Sequence, residues 1–154
     1  MAAIKKPRGF AVFLFVLYLL LLFYFLFFSE GFGRTQLRED YQYNLTPLHE
    51  IMRFIQYRHI LGFRAFIINI FGNVIAFMPL GFFLPQISKK KKNGFQIVFS
   101  CFLVSLLVET LQLVSKLGSF DVDDLLLNTL GGLLGYIVYL IFHKLAKRKT
   151  KRKG

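Results

Sequence analysis

The sequence predicts an all-α membrane protein with four transmembrane helices, and three observations carry that class. Of its 154 residues 55% are hydrophobic and 20 are Phe, and the mean hydropathy of +0.53 lies well above that of a soluble domain of this length. Four apolar stretches, about 10–28, 66–85, 95–114 and 125–142, approach the roughly 20 residues that a helix rising 1.5 Å per residue needs to cross a hydrocarbon core about 30 Å thick. Apolar residues run on through these stretches without the alternation of a membrane β-barrel, so the spanning elements are helices. The chain, 1–154, reads as one membrane domain with a basic tail at 143–154.

The first stretch follows Lys5, Lys6 and Arg8, as a signal peptide would, but its apolar run outlasts a signal core and no small-x-small cleavage site follows. It reads as a retained anchor. Its only polar side chains from Ala11 to Phe28 are Tyr18 and Tyr24, which suits a structural, lipid-facing helix. The connection at about 29–65 is the single long one. From Pro47 onward it places Leu48, Ile51, Met52 and Ile55 at helical spacing, an amphipathic helix that either lies in the membrane interface or caps the bundle. The second span carries Asn69 and Asn73 on one face, followed by FMPLGFFLP. There Pro79 removes an intrahelical hydrogen bond and Gly81 admits a close neighbour, so a kink is expected. The third span carries Glu109 and Gln112, and the fourth follows FDVDD and carries Asn128 one turn after Asp124.

Basic residues set the orientation, because they accumulate on the cytoplasmic side. With the N-terminus inside, that side receives Lys5, Lys6, Arg8, Lys89 to Lys92 and the basic residues from Lys144 to Lys153, leaving Arg34, Arg38, Arg53, Arg58, Arg64 and Lys116 outside. Glu30, Glu39, Asp40, Glu50, Asp121, Asp123 and Asp124 also fall outside. Both termini are thus expected in the cytoplasm. The formal charge of +12 suits topology and anionic lipid headgroups and calls for no nucleic acid.

Cys101 stands alone in the third span, and His49, His59 and His143 lack metal-ligand spacing. A calcium loop starting at Asp121 would need Gly at Leu126 and Glu at Gly132, so no metal or other cofactor is called for. The NLT sequon at Asn44 runs into Pro47 and is discounted.

Polar side chains inside spans are costly and normally face protein or a wet cavity. At 1.5 Å per residue, Asn128 sits about 6 Å below Asp124, Glu109 about 9 Å below Ser115, and Asn73 about 12 Å below Ala65. Three helices therefore bring Asn73, Glu109, Gln112, Asp121, Asp124 and Asn128 to similar depth, the expected lining of one pocket open to the outer side. Asp121, Asp124 and Asn128 form a stripe that continues into Gly131, Gly132 and Gly135, so the polar face becomes a packing seam. Asp123 is expected to point elsewhere, to water or headgroups. Asn69 reads as a plain interhelical hydrogen bond, whereas Glu109, a carboxyl in the outer third of a span, reads as functional. The carboxylates at the start of the fourth span can also serve simply to stabilise its macrodipole.

NLTP at 44–47, NIFGNVIAFMPLGFFLP at 69–85, ETLQ at 109–112 and FDVDDLLLNTLGGLLGY at 120–136 together resemble the VanZ-like family of small bacterial membrane proteins, in order and spacing. The resemblance implies a four-helix protein of the bacterial cytoplasmic membrane, in a family associated with low-level resistance to the lipoglycopeptide teicoplanin. It implies motif roles for Asn44, Pro47, Asn73, Pro79, Gly81, Pro85, Glu109, Gln112, Asp121, Asp124, Asn128, Gly132 and Gly135. Family members often carry an arginine shortly before the first aspartate, where this chain offers Lys116.

Three functions stay open. The favoured one is an outer-leaflet protein that binds or shields amphiphiles, either lipoglycopeptide antibiotics or lipid-linked wall precursors, with membrane lipids as its surroundings. The second is a membrane enzyme acting on a lipid headgroup, with Glu109, Asp121 and Asp124 as base or divalent-ion ligands; no nucleophile, histidine or phosphate loop supports it, so the reading leans away from an enzyme. The third is a proton-coupled subunit using Glu109, which four short helices could form only as a homo-oligomer.

Overall fold

A computed structural model describes residues 8–28, 40–88 and 93–151. Of the charges invoked for orientation, Lys5, Lys6, Glu30, Arg34, Arg38, Glu39, Lys89 to Lys92, Arg152 and Lys153 lie outside the described residues. The elements are α1 (Arg8–Phe28), β1 (Tyr43–Asn44), α2 (His49–Gln56), α3 (Arg58–Leu61), α4 (Phe63–Ile87), α5 (Gly94–Ser115), β2 (Phe120–Asp121) and α6 (Val122–Lys151). Four of them are long and apolar enough to cross a membrane, over Gly9–Phe28, Phe63–Ile87, Gly94–Ser115 and Val122–Arg148. All four expected stretches fall inside these helices.

The helix ends follow local chemistry. α5 begins with a reciprocal capping box, in which Gln96 N–H donates to Asn93 Oδ1 at 2.8 Å and Asn93 N–H to Gln96 Oε1 at 3.1 Å. It ends on Lys116 in the left-handed region at φ 56°, with Gly118 N–H donating back to the Gln112 carbonyl. α4 runs unbroken through Pro79 and Pro85. Pro79 has no N–H to give to the Ile75 carbonyl one turn earlier, and the Tyr18 hydroxyl of α1 donates to the neighbouring Ala76 carbonyl at 2.7 Å, an added bond between the two helices. So the sparse polarity of α1 has a packing use.

The core is small and sits where α4, α5 and α6 converge: Phe77, Leu80, Ile97 and Cys101, joined by Leu22 of α1. Most other large apolar residues of the four long helices face outward, as a membrane solvent requires. The tightest approach is α4 against α6. A Cβ added at Gly131 would fall on the Val74 carbonyl oxygen, one at Gly135 on that of Met78, and one at Gly81 on that of Gly132. Gly132 also faces the Cys101 side chain of α5. The expected seam is therefore present, and its partner is the α4 backbone.

At the opposite end from the basic tail, β1 and β2 pair in parallel, Tyr43 with Phe120 and Asn44 with Asp121. This short ladder ties the connection after α1 to the start of α6. α2 and α3 then lead back to α4, with Gly62 at φ 86° making the last turn.

Candidate functional site

α2 begins without a local cap. Leu48 occupies the N-cap position in the left-handed region at φ 64° and has no side-chain oxygen to offer the free N–H groups of the first turn. Asp123 of α6 supplies both: its Oδ1 accepts the Leu48 N–H, and its Oδ2 accepts those of Glu50 at 2.8 Å and Ile51 at 3.1 Å. The expectation that Asp123 faces water or headgroups is thus corrected. It is 1% exposed, because a helix N-terminus packed above it provides the donors that water would otherwise supply.

Asp121, two residues earlier, organises the floor beside it. Its Oδ1 accepts the Asp123 N–H at 2.9 Å and the Asn44 amide at 3.1 Å, while its own N–H donates to Glu109 Oε2 at 3.0 Å. Asn44 also closes its own turn by accepting the Thr46 N–H at 3.1 Å, just ahead of Pro47. One asparagine therefore shapes the NLTP turn and pins it to α6. Burial pushes the Asp121 carboxyl above its ordinary range; the Asp123 N–H and Asn44 amide oppose the shift, and the charges of Asp123 and Glu50 add to it.

The remaining polar residues link the long helices in layers. The Asn73 amide of α4 donates to Asp124 Oδ1 of α6. Asn128 of α6 donates to Ser105 Oγ of α5 at 2.9 Å, and Gln112 of α5 to the Leu26 carbonyl of α1 at 3.0 Å. Asn69 instead bonds the Ala65 carbonyl of its own helix at 3.1 Å, which replaces the expected interhelical bond. The Asn128 carbonyl oxygen is buried and accepts no hydrogen bond from the described residues.

A cleft of about 190 Å³ opens between α2, α4 and α6. Asp121 and Asp124 line it, together with Asp123, Asn69 and the α2 residues Glu50 and Arg53. Of the six residues expected to form one pocket, the structure thus brings two to the cleft wall, while Asn73 holds Asp124 from α4. Glu109, Gln112 and Asn128 are buried and do not line the cleft. Glu50 and Arg53, joined at 2.6 Å, were not legible as site residues, since their i, i+3 spacing reads as an ordinary solvent-face pair on an amphipathic helix. Among the described residues no three His, Cys, Asp or Glu side chains gather closely enough to hold a metal ion, so the divalent-ion reading gains no ligand set.

These features define a small helical membrane protein whose long helices carry a carboxylate and amide cluster at one end of the bundle. The VanZ/LLP1 family model matches residues 15–143, and the chain belongs to that family. It is 37% identical over 78 residues to Protein VanZ of Enterococcus faecium, a match that covers 50% of this chain and 47% of that protein. The matched region therefore spans about half the relative's length. No solved structure matches the chain.

Proposed function

We propose that this protein sits in the bacterial cytoplasmic membrane with both termini inside and the acidic end outward. There its cleft receives the polar head of an amphiphile: a lipoglycopeptide such as teicoplanin, or a lipid-linked wall precursor. By holding or shielding that head, the protein lowers the effect of the lipidated antibiotic. The orientation is supported by the basic residues Lys144, Lys147 and Arg148 at the far end of α6. α2 then lies along the outer interface, with its Asp123-capped end against the bundle.

The observation that carries the reading is the convergence of Asp121 and Asp124 with Arg53 and Glu50 in one cleft beside apolar helix faces. Carboxylates next to a guanidinium suit a head that bears ammonium and acidic groups, and the adjoining lipid-facing helices suit an acyl tail. The size narrows the ligand: about 190 Å³ is below the roughly 300–1,000 Å³ of pockets that enclose whole drug-sized molecules. The cleft thus takes a small headgroup or one amine-bearing substituent of a larger head, while the rest of the head stays at the membrane surface and the acyl tail in the leaflet.

The test is growth inhibition by teicoplanin and by vancomycin in a susceptible host that makes the wild type or Asp124→Asn at matched membrane levels. The reading predicts higher tolerance to teicoplanin alone, abolished by Asp124→Asn. Unchanged potency of both drugs, or tolerance that survives the substitution, contradicts it.

A further inference from the structure

The stretch from α3 into α4 exposes large apolar residues where the chain turns into a span. Ile60 is 81% exposed and Phe63 68%, with Leu61 between them also exposed. Gly62 separates α3 from α4 and leaves no room for further chain: Ile60 lies within about 11 Å of Phe63 along the backbone. Phe63 opens a stripe on α4, with Ile67, Phe71 and Ile75 at four-residue intervals, all exposed and all facing away from the bundle. In a spanning helix that stripe meets hydrocarbon. Ile60 and Leu61 add exposed apolar side chains immediately before that helix begins, and Arg58 and Arg64, which flank this segment in the chain, are exposed as well.

We infer that Ile60, Leu61 and Phe63 form a ridge that enters the acyl boundary of the adjoining leaflet, with Arg58 and Arg64 at the level of lipid phosphates. The partner is the bilayer, by continuity with the lipid-facing stripe of α4 and by the match of guanidinium to phosphate. Such a ridge moors α3, and through it α2, to the membrane on the side of the cleft. The inference rests on the interfacial placement of α2 proposed above but does not require the cleft to bind anything.

The chain has no tryptophan, so one introduced indole reports alone. Full-length Ile60→Trp and Met52→Trp are reconstituted separately in phosphatidylglycerol-containing vesicles, with and without brominated acyl chains, at two protein-to-lipid ratios. Both positions are exposed, so the larger ring displaces no core residue. The inference predicts blue-shifted emission from Ile60→Trp, strong quenching by bromolipid and weak quenching by aqueous iodide, independent of protein density. If Met52→Trp meets lipid while Ile60→Trp meets iodide, the ridge is overturned and the placement of α2 stands. If both meet iodide, both fail. Bromolipid quenching of Ile60→Trp that fades as protein density rises assigns the surface to a second copy of the chain and also overturns the inference.

Discussion

Asp123 has a task at the start of α6 that Leu48, at the N-cap of α2, has no side-chain oxygen to perform. Its two carboxylate oxygens take three backbone N–H groups from a helix 72–75 residues earlier, and so fix where α2 lands. Charge-assisted bonds of this kind are the stronger ones, and losing an N-cap costs about 0.5–2 kcal/mol even when exposed. Asp123→Ala is therefore expected to cost about 1–3 kcal/mol locally. Hydrogen exchange should accelerate in residues 48–56 while the amides of α4 and α6 stay protected. Unchanged exchange in α2 would contradict the capping account. Asp121 makes a different prediction, set by the sign of its shift. Burial raises its carboxyl above the ordinary 3.8, so the folded chain holds this proton more tightly than the unfolded chain does. Its contribution to stability is complete below the unfolded pKa and falls away as pH rises through the folded one. Asp121→Asn keeps an acceptor for Asn44 and removes the charge. Its Tm relative to wild type in detergent should thus climb from acid to neutral pH, and a difference independent of pH would count against the assignment.

At the scale of elements, the glycines of α6 decide how near α4 can come. A methyl group at Gly131 or Gly135 would meet backbone, which cannot yield as a flexible side chain can. Gly131→Ala and Gly135→Ala are each expected to destabilise by about 1–3 kcal/mol. Gly72 of α4 meets only the Ile68 side chain of its own helix at 4.0 Å, so Gly72→Ala should be neutral or gain up to about 1 kcal/mol from helix propensity. Denaturation in mixed micelles separates the two cases, and equal effects at all three positions would undo the seam. This seam was legible in the sequence because glycine at three- and four-residue spacing leaves few reasons to occur inside a span other than close packing. The spans were legible because bilayer thickness fixes their length. The capping of α2 was not legible. Its signal is an absence, a leucine where a capping oxygen would stand, and the substitute lies far along the chain.

Across the whole molecule, polar residues at one end act as fasteners between segments distant in sequence. Asn44 to Asp121, Leu48 to Asp123 and Asn73 to Asp124 join three parts of the chain to one short acidic stretch. That explains why FDVDD precedes an apolar helix: each carboxylate has its own donor, and all three also line the cleft, with Asp123 beneath α2. Depth arithmetic placed Asn73, Glu109, Gln112, Asp121, Asp124 and Asn128 at one level, yet depth alone does not say which way a side chain faces around the helix axis. Hence Glu109, Gln112 and Asn128 turn out to brace the bundle away from the cleft wall, while Glu50 and Arg53 complete it from an element whose polar face the sequence left without a partner. The claim that this cleft receives the head of a lipidated ligand is tested most directly by titrating teicoplanin, with vancomycin alongside, into nanodiscs that hold the wild type, Asp124→Asn or no protein. The account predicts saturable binding of teicoplanin to wild-type discs, weakened roughly tenfold or more by Asp124→Asn, with vancomycin no different from empty discs. Equal teicoplanin binding by wild-type, variant and empty discs would contradict it.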